Sequence, residues 1–413
     1  MSDSRAVFDV IVTGRGPAGM IAALAAHDAG LKVALIGPPI NEADERTTAL
    51  LGPSIDALEG YRLSEGLAEI GTPLMTMRLL DGTRRLVRAP AISFEAGEIG
   101  RAAFGLNCPN AHLNALLHGA VVDRPEIESF EGLVAGYDLS CETIKVTVGD
   151  GTVLHTTTVI AADGRNSPAR QAAGIDVRRW SYPQTAAVGN VRHTKPHENI
   201  STEFHTETGP FTFVPLEDRD DRHRSSFVCA LAPDDAAKVG KLSIEDASRF
   251  LEKRSQFLLG ELELEGPVQL WPLEGLVAKA FAANGVFLVG ETAHAFPPIG
   301  AQGLNLSIRD AREAASVIGE ALKEGQNPRS MLIASRYSAR RRADVWARTY
   351  GVDALNRSLL TDNPAVQLGR AVAMTAARMS PALKKGLMVA GLEPFSLGGS
   401  IGRMADAFRK RAA

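Results

Sequence analysis

The sequence predicts an α/β fold: a Rossmann-like domain, a mainly antiparallel β-sheet domain inserted into it, and helices at the C-terminus. Three observations predict it. The β-branched apolar run Val7–Thr13 leads into the glycine turn GRGPAG and then an alanine-rich helix. From about residue 180 to 235, β-branched and aromatic residues alternate with polar ones. The last third returns to a strand, a Pro/Gly loop and long helical patterns, so the first and last parts share one sheet with the middle as a second layer.

Each element has a local reason. Val7–Thr13 reads as a parallel strand buried on both faces. Residues 20–28 are helical and stop near Gly30, a suitable residue past a helix end, and residues 32–36 form a second strand. Together they make a βαβ unit of about the ~30-residue length expected. Residues 107–122 look helical. Residues 143–148 and 153–157 flank Gly149-Asp150-Gly151, a hairpin signal, and residues 159–162 are another short strand ending at Asp163-Gly164. Residues 243–258 form an amphipathic helix with Ser243 as N-cap and Ile244, Ala247, Leu251 and Leu258 on one side. A strand is expected at 285–289, helices at 304–323 and 328–348, and short helices over 351–413.

Length and composition narrow the function. A chain of 413 residues allows two to four domains. Its 45% hydrophobic and 23% charged residues with net charge −3 exclude a disordered or strongly basic protein, and nothing points to nucleic acid. Three cysteines, 108, 141 and 229, are too far apart for a CxxC motif and too few for a disulfide framework; they are expected to be buried, in a reduced compartment. Neither a secretory leader nor a membrane span is visible, so a cytosolic location is expected. Charge is uneven: residues 331–413 hold 14 Lys/Arg and 5 Asp/Glu, a net +9 that leaves −12 elsewhere. Such a tail suits anionic lipid or an acidic partner, or is simply a set of solvated helix faces.

Two segments carry chemistry. In Gly14–Gly19, Gly14 permits the turn, Gly16 lets the backbone approach a pyrophosphate, and Gly19 lets helix pack on strand. The helix start then offers unpaired N–H groups to phosphate. The acid expected at the end of the second strand, for ribose hydroxyls, is absent: Gly37 stands there, with Glu42, Asp44 or Glu45 as substitutes. The second segment is VFLVGETAHAFPPIGAQGLNLSIRD, residues 286–310. Glu291 sits at a strand end where a carboxylate binds polyol hydroxyls, and Gly300-Ala301-Gln302-Gly303 opens a helix toward an anionic or electron-rich ligand edge. His294 lacks a second histidine at ligand spacing and reads as structural.

Together with VIAADGRNSPAR (159–170), these segments resemble the three fingerprints of FAD-dependent aromatic hydroxylases of the para-hydroxybenzoate hydroxylase class. Within it the chain is similar to the UbiH/UbiF-type ubiquinone-biosynthesis hydroxylases. DERTTAL (44–50), NCPNAHLNALL (107–117), WSYPQTA (180–186), EFHTETGPFTFVPL (203–216), WPLEGLVAKAF (271–281) and the tail LNRSLL…SPALKKGLMVAGL (355–392) carry the further likeness. Glu291 stands where the family usually has Asp, and Gly37 where it has an acid.

The resemblance implies FAD as cofactor and NAD(P)H as co-substrate. Oxygen adds to the reduced flavin, and the resulting C4a-hydroperoxide hydroxylates the ring of a polyprenylated phenol. It implies FAD-binding roles for Gly14, Gly16, Pro17, Ala18, Gly19, Arg46, Asn110, Asp163, Gly290, Glu291, Pro298, Gly300, Gln302, Gly303, Leu304 and Asn305. Read without it, Arg46 could be a surface arginine, Asp163 a turn residue, and Pro298 and Gly300 an ordinary loop. Gly209-Pro210 and Pro215-Leu216 are expected in a wall over the ring, or are sheet turns. No catalytic base stands out; Tyr182, His205 or a water could assist. The implied domains are 1–75, 100–178 and 285–350 for FAD, 76–99 and 179–284 for substrate, and 351–413 as a C-terminal helical region. A prenyl tail calls for surface contact with a membrane or a biosynthetic complex, with Arg340-Arg341-Arg342 and Lys384-Lys385 as candidate residues. Other readings are a hydroxylase of a different aromatic, a prenyl reductase, or a non-catalytic flavin-binding subunit.

Overall fold

The structure is a computed structural model and describes residues 7–83, 85 and 88–393. Its first sheet has a parallel centre in the order Ile127–Glu131, Val33–Gly37, Val7–Thr13, Val153–Ala161 and Val286–Leu288. Val33–Gly37, next to the centre, has only apolar residues and every one is buried, as in a strand covered on both faces. The helices Pro17–Asp28 and Gln302–Lys323 pack against each other, close enough that a Cβ on Gly319 would lie 3.2 Å from Ala29 Cβ.

The second sheet is antiparallel but for one parallel pair. Its order is His294-Ala295, Gln269–Ala278, Val177–His193, Arg222–Leu231, Gly209–Arg219, Ile200–Thr206, Thr76–Asp81 and Ile92–Glu95. One face buries Phe204, Phe211, Phe213 and Phe227 against the helix Ile244–Arg254. The other face is turned toward a third, three-stranded sheet of Thr47–Leu51, Gly105–Pro109 and Thr72-Pro73: Thr47 Oγ1 donates to Ser226 Oγ at 2.8 Å, and Asn107 Nδ2 donates to the Pro215 carbonyl at 2.9 Å. The segment after residue 285 contributes to both sheets, since Val286–Leu288 lies in the first and His294-Ala295 in the second.

Several expected elements change on folding. Residues 107–109 end a strand, Gly105–Pro109, and the helix starts at Asn110. Pro109 explains the boundary, because it disfavours helical conformation in the residue before it. The two strands expected at 153–157 and 159–162 are one, Val153–Ala161. Its first half pairs with the hairpin strand Ile144–Val148, and its length along the central strand Val7–Thr13 gives Thr158 a ladder partner too. The helix expected at 328–348 runs over Met331–Leu360. Ser330 caps its start, and buried Tyr337, Arg341, Asp344, Arg348, Val352, Asn356 and Leu359 keep helical spacing straight through Gly351. An exposed helical glycine costs only about 1 kcal/mol, less than this packing supplies. Helices Pro364–Met379 and Pro381–Leu392 follow; the part of the expected helical tail beyond residue 393 lies outside the described residues. Cys108 and Cys229 are buried as expected, but Cys141 is exposed, in the turn between two hairpin strands.

Candidate active site

The glycine turn has the geometry its residues require. Gly14 has φ +107°, and a Cβ there would overlap the Ala162 carbonyl oxygen; one on Gly19 would overlap the Gly14 carbonyl. Gly16 differs, since a Cβ there meets nothing in the chain. That open space lies directly at the start of Pro17–Asp28, a helix with no side-chain cap and no acid in its first turn. Pro17 occupies the first turn without needing a partner, and the N–H groups around Ala18 and Gly19 are left to an outside anion.

A second uncapped helix start lies across the site. Gln302–Lys323 begins at Ala301, whose φ is +54°, again with no side-chain cap and no first-turn acid. Pro298, Gly300 and Gly303 are exposed, and Leu304 is half-buried. Gln302 is held by bonds to the Gly300 and Gly391 carbonyls and by Arg348. Asn305 has no exposure and faces inward: Leu51 N donates to its Oδ1 at 2.8 Å, and its Nδ2 donates to the Ala49 carbonyl at 2.8 Å. It fixes the helix start to the strand Thr47–Leu51.

Asp163 joins the two halves. Its carboxylate accepts from Ala169 N at 3.2 Å and from Thr292 Oγ1 at 3.3 Å, and burial pushes its pKa up. Thr292 follows the turn Gly290-Glu291. Gly290 N donates to Asp310 Oδ2 at 3.1 Å. Glu291 is exposed, and Arg165 Nη2 donates to its Oε1 at 2.7 Å. Arg165 and Thr292 stand inside the motifs but were not singled out by sequence; the Arg beside Asp163-Gly164 was the available signal.

Beneath this turn lies a buried ionic network that sequence alone does not reveal. Asp310 Oδ2 is 2.6 Å from His294 Nε2, and Arg341 Nε donates to Asp310 Oδ1 at 2.7 Å. Burial opposes the Asp310 charge, but Arg341 and His294 overcome it and hold the carboxyl below its usual range. Asp344 then binds Arg309, Arg341 and Arg348, and Arg309 reaches the Leu392 carbonyl. His294 is thus structural.

Arg46 lies beside Asp44, donating from Nε and Nη2 at 2.8 and 2.7 Å; Asn110 Nδ2 donates to the same carboxylate at 3.1 Å. Burial raises the Asp44 pKa, yet these donors hold it below the usual range. A cavity of about 500 Å³ opens here, lined by Asp44, Arg46, His112, Asn190, Arg192 and Arg224. Asp44 is therefore already engaged and is a poor substitute for the missing ribose acid. Gly37 itself cannot carry one in this backbone, because Arg15 N would lie 2.6 Å from its Cβ.

Two expected groups are elsewhere. Tyr182 donates to Asp353 at 2.7 Å and accepts from Trp180 Nε1; burial pushes its pKa far up, so it is no base. Of the basic residues expected to face a membrane, Arg340 is paired with Glu313 and Glu320, Arg341 is in the buried network, and Lys384 donates to Glu98. Acids on the neighbouring helices and loops neutralise these three, while Arg342 and Lys385 are exposed.

The residues present fit a dinucleotide: two uncapped helix starts, an open space at Gly16 and a loop that exposes Pro298, Gly300 and Gly303. The chain matches the family described as "FAD binding domain" over residues 7–350 and belongs to it. It is a flavoprotein of the aromatic-hydroxylase class, with FAD as its cofactor. Among its relatives, "Ubiquinone hydroxylase UbiL" of Rhodospirillum rubrum is 28% identical over 95% of this chain and 91% of that protein. The "3-demethoxyubiquinol 3-hydroxylase" of Escherichia coli is 24% identical over 91% and 96%. The crystal structure of p-nitrophenol 4-monooxygenase PnpA from Pseudomonas putida superposes with TM-score 0.77 over 95% of this chain and 99% of that one, at 18% identity, a likeness of fold.

Proposed function

We propose that the protein hydroxylates the aromatic ring of a polyprenylated phenol in ubiquinone biosynthesis, with FAD, NAD(P)H and molecular oxygen. One observation carries this beyond the cofactor. On the face of the second sheet turned toward Thr47–Leu51 and Gly105–Pro109, Met77, Leu79, Val188, Val214 and Val228 are all half-exposed, while the opposite face is closed. Apolar side chains left partly open inside the fold are the lining of a chamber for an apolar ligand. The relatives named for ubiquinone hydroxylation match nearly the whole chain, which supports the substrate class.

In this reading Gly14, Gly16, Pro17, Ala18 and Gly19 cradle the pyrophosphate, and Arg46, held by Asp44 with Asn110, lies beside it. Asp163, Gly290 and Glu291 position the ribityl chain. Pro298, Gly300, Gln302, Gly303 and Leu304 edge the flavin ring, with Asn305 holding that loop from behind. When bound, FAD supplies the oxygen-activating redox chemistry. The helix starting at Gln302 aims backbone N–H groups at the ring edge where negative charge collects on reduction. The sheet and C-terminal helices exclude water from the chamber. The division into residues 1–75, 100–178 and 285–350 for FAD, 76–99 and 179–284 for substrate, and 351–413 belongs to this proposal.

Contact with a membrane is part of it as well. Among the described residues no helix is long and apolar enough to cross a bilayer. Helices Pro364–Met379 and Pro381–Leu392 instead expose Leu368, Val372, Met379, Leu383 and Leu387, with no acid between Pro364 and Leu392. Arg378 and Lys385 are exposed on the same pair. That surface suits peripheral docking on anionic lipid at the inner face of the membrane, where a prenylated substrate resides.

The test is the absorbance spectrum of the purified protein, then NAD(P)H oxidation with and without a short-chain prenylphenol. Bound flavin, phenol-stimulated oxidation and a hydroxylated product are expected. Bound flavin without stimulation by any prenylphenol would count against this substrate class.

A further inference from the structure

Two buried side chains on the chamber side of the second sheet leave hydrogen-bonding atoms without a partner among the described residues. His205, on Ile200–Thr206, has its Nε2 3.1 Å from Glu203 Oε1, and its Nδ1 has no partner. Arg370, on Pro364–Met379, is 9% exposed; its Nη2 donates to Asp81 Oδ2 at 3.2 Å, while Nε and Nη1 have no partner. Asp81 links them, standing directly opposite His205 in the parallel pairing of Ile200–Thr206 with Thr76–Asp81. Its remaining bonds come from Thr83 and the Ala89 N–H.

The cluster lies at one end of the chamber. Met77, Leu79 and Asp81 share a face, since residues two apart on a strand point the same way. Met77 packs with Leu51, Met388 and Leu392. Leu51 is the residue whose N–H is held by Asn305 at the start of the flavin-edge helix. The row therefore begins beside that loop and ends at Arg370, roughly 13 Å of strand away. In the hydroxylase reading above, a substrate ring between the two would turn its far substituent toward His205 and Arg370.

The idle atoms define what they bind. A buried guanidinium with unused N–H groups is costly unless something accepts from it. With Nε2–H directed at the Glu203 carboxylate, His205 Nδ1 is an acceptor. A group that accepts from Arg370 and donates to His205 is a hydroxyl. We propose that His205 and Arg370 bind and ionise the phenolic hydroxyl of the substrate. The O–H bond breaks, its proton forms an N–H bond at His205 Nδ1, and the electron pair stays on oxygen. Arg370 holds the resulting phenolate and Glu203 the imidazolium; no electrons are exchanged with any partner. Ionisation raises electron density at the ring carbons ortho and para to the oxygen, as attack on an electrophilic oxygen requires. His205 is then the general base and Glu203 its positioning residue. This rests on the aromatic-hydroxylase reading above.

The FAD-loaded enzyme tests it with 4-nitrophenol as an ionisation probe and a short-chain prenylphenol as substrate. Below the solution pKa of nitrophenol, the wild type is expected to show bound nitrophenolate, and His205→Gln and Arg370→Met to lose it with the flavin spectrum and melting temperature kept. Phenol-stimulated turnover should fall about 10²–10⁴-fold in His205→Gln. Glu203→Gln, which keeps the shape, should lower kcat for phenol-stimulated oxidation while leaving KM and the flavin spectrum unchanged. Absence of any nitrophenolate signal in the wild type, or wild-type turnover in both His205→Gln and Arg370→Met, overturns the assignment. Loss of phenol-stimulated oxidation in the wild type itself would instead overturn the hydroxylase reading.

Discussion

Gly37 shows how a residue can depart from a family pattern for a local reason. The strand end is close-packed against the backbone of Arg15, and the Arg15 guanidinium reaches His118 Nε2 at 3.0 Å. Restoring an acid by Gly37→Asp is therefore expected to destabilise the protein and weaken FAD binding rather than improve it, as read by melting temperature and flavin release. His193 offers a second prediction. It is buried between the Lys195 carbonyl and Ser225 Oγ, at 2.8 and 2.9 Å, beside His197 and His223. Burial pushes its pKa down to about 4, helped by the neighbouring histidines. The unfolded chain then binds a proton that the folded one refuses, so stability contributed by neutral His193 is lost as pH falls from about 6.5 toward 4. Melting curves across that window should show the decline, and His193→Gln should flatten it.

At the level of elements, the start of Gln302–Lys323 is held from behind rather than by its own cap. Asn305 ties it to Thr47–Leu51, and Asp310 ties it to the Gly290 turn, His294 and Arg341. Breaking a buried pair from one side leaves the partner charge stranded, typically at about 3–5 kcal/mol. Asp310→Asn is accordingly expected to lower stability by that order in denaturant titration and to release FAD, although Asp310 itself is buried below the turn. An unchanged midpoint with flavin retained would mean the network is not what supports the loop. Glycine 351 teaches the complementary lesson: a helix breaker by propensity is carried inside a 30-residue helix because its neighbours on the buried face hold both sides in place.

Over the whole molecule, the C-terminal helices serve two surfaces at once. Their inner side packs on the strands Thr47–Leu51 and Thr76–Asp81 through Arg370, Met388 and Leu392, and their outer side exposes apolar residues with cations and no acid. Docking on lipid would place the chamber next to the bilayer that holds a prenylated substrate. Wild-type protein is expected to sediment with vesicles containing anionic phosphatidylglycerol, and the double variant Leu383→Glu, Leu387→Glu to remain in the supernatant while keeping activity on a short-chain phenol. Equal sedimentation of both would exclude this surface as the contact. Salt should weaken the binding only in part, since the apolar contribution is not screened.

The local determinants were legible in the amino-acid order. Glycine positions, strand periodicity and the Pro/Gly loop at 297–303 act within a few residues, so they specify the βαβ unit, the cofactor class and the start of Gln302–Lys323 before any packing is known. Tertiary structure decided the rest. It placed Asp44 on Arg46, Arg341 in the core rather than on the surface, and Tyr182 on Asp353 rather than at a reaction centre. It also brought Arg370 onto Asp81, the residue that pairs with His205 in the second sheet, although Arg370 and His205 are 165 positions apart in the chain. The reason is physical: the state of a charged or polar side chain is set by which partners share its burial, and those partners come from strands and helices distant in sequence.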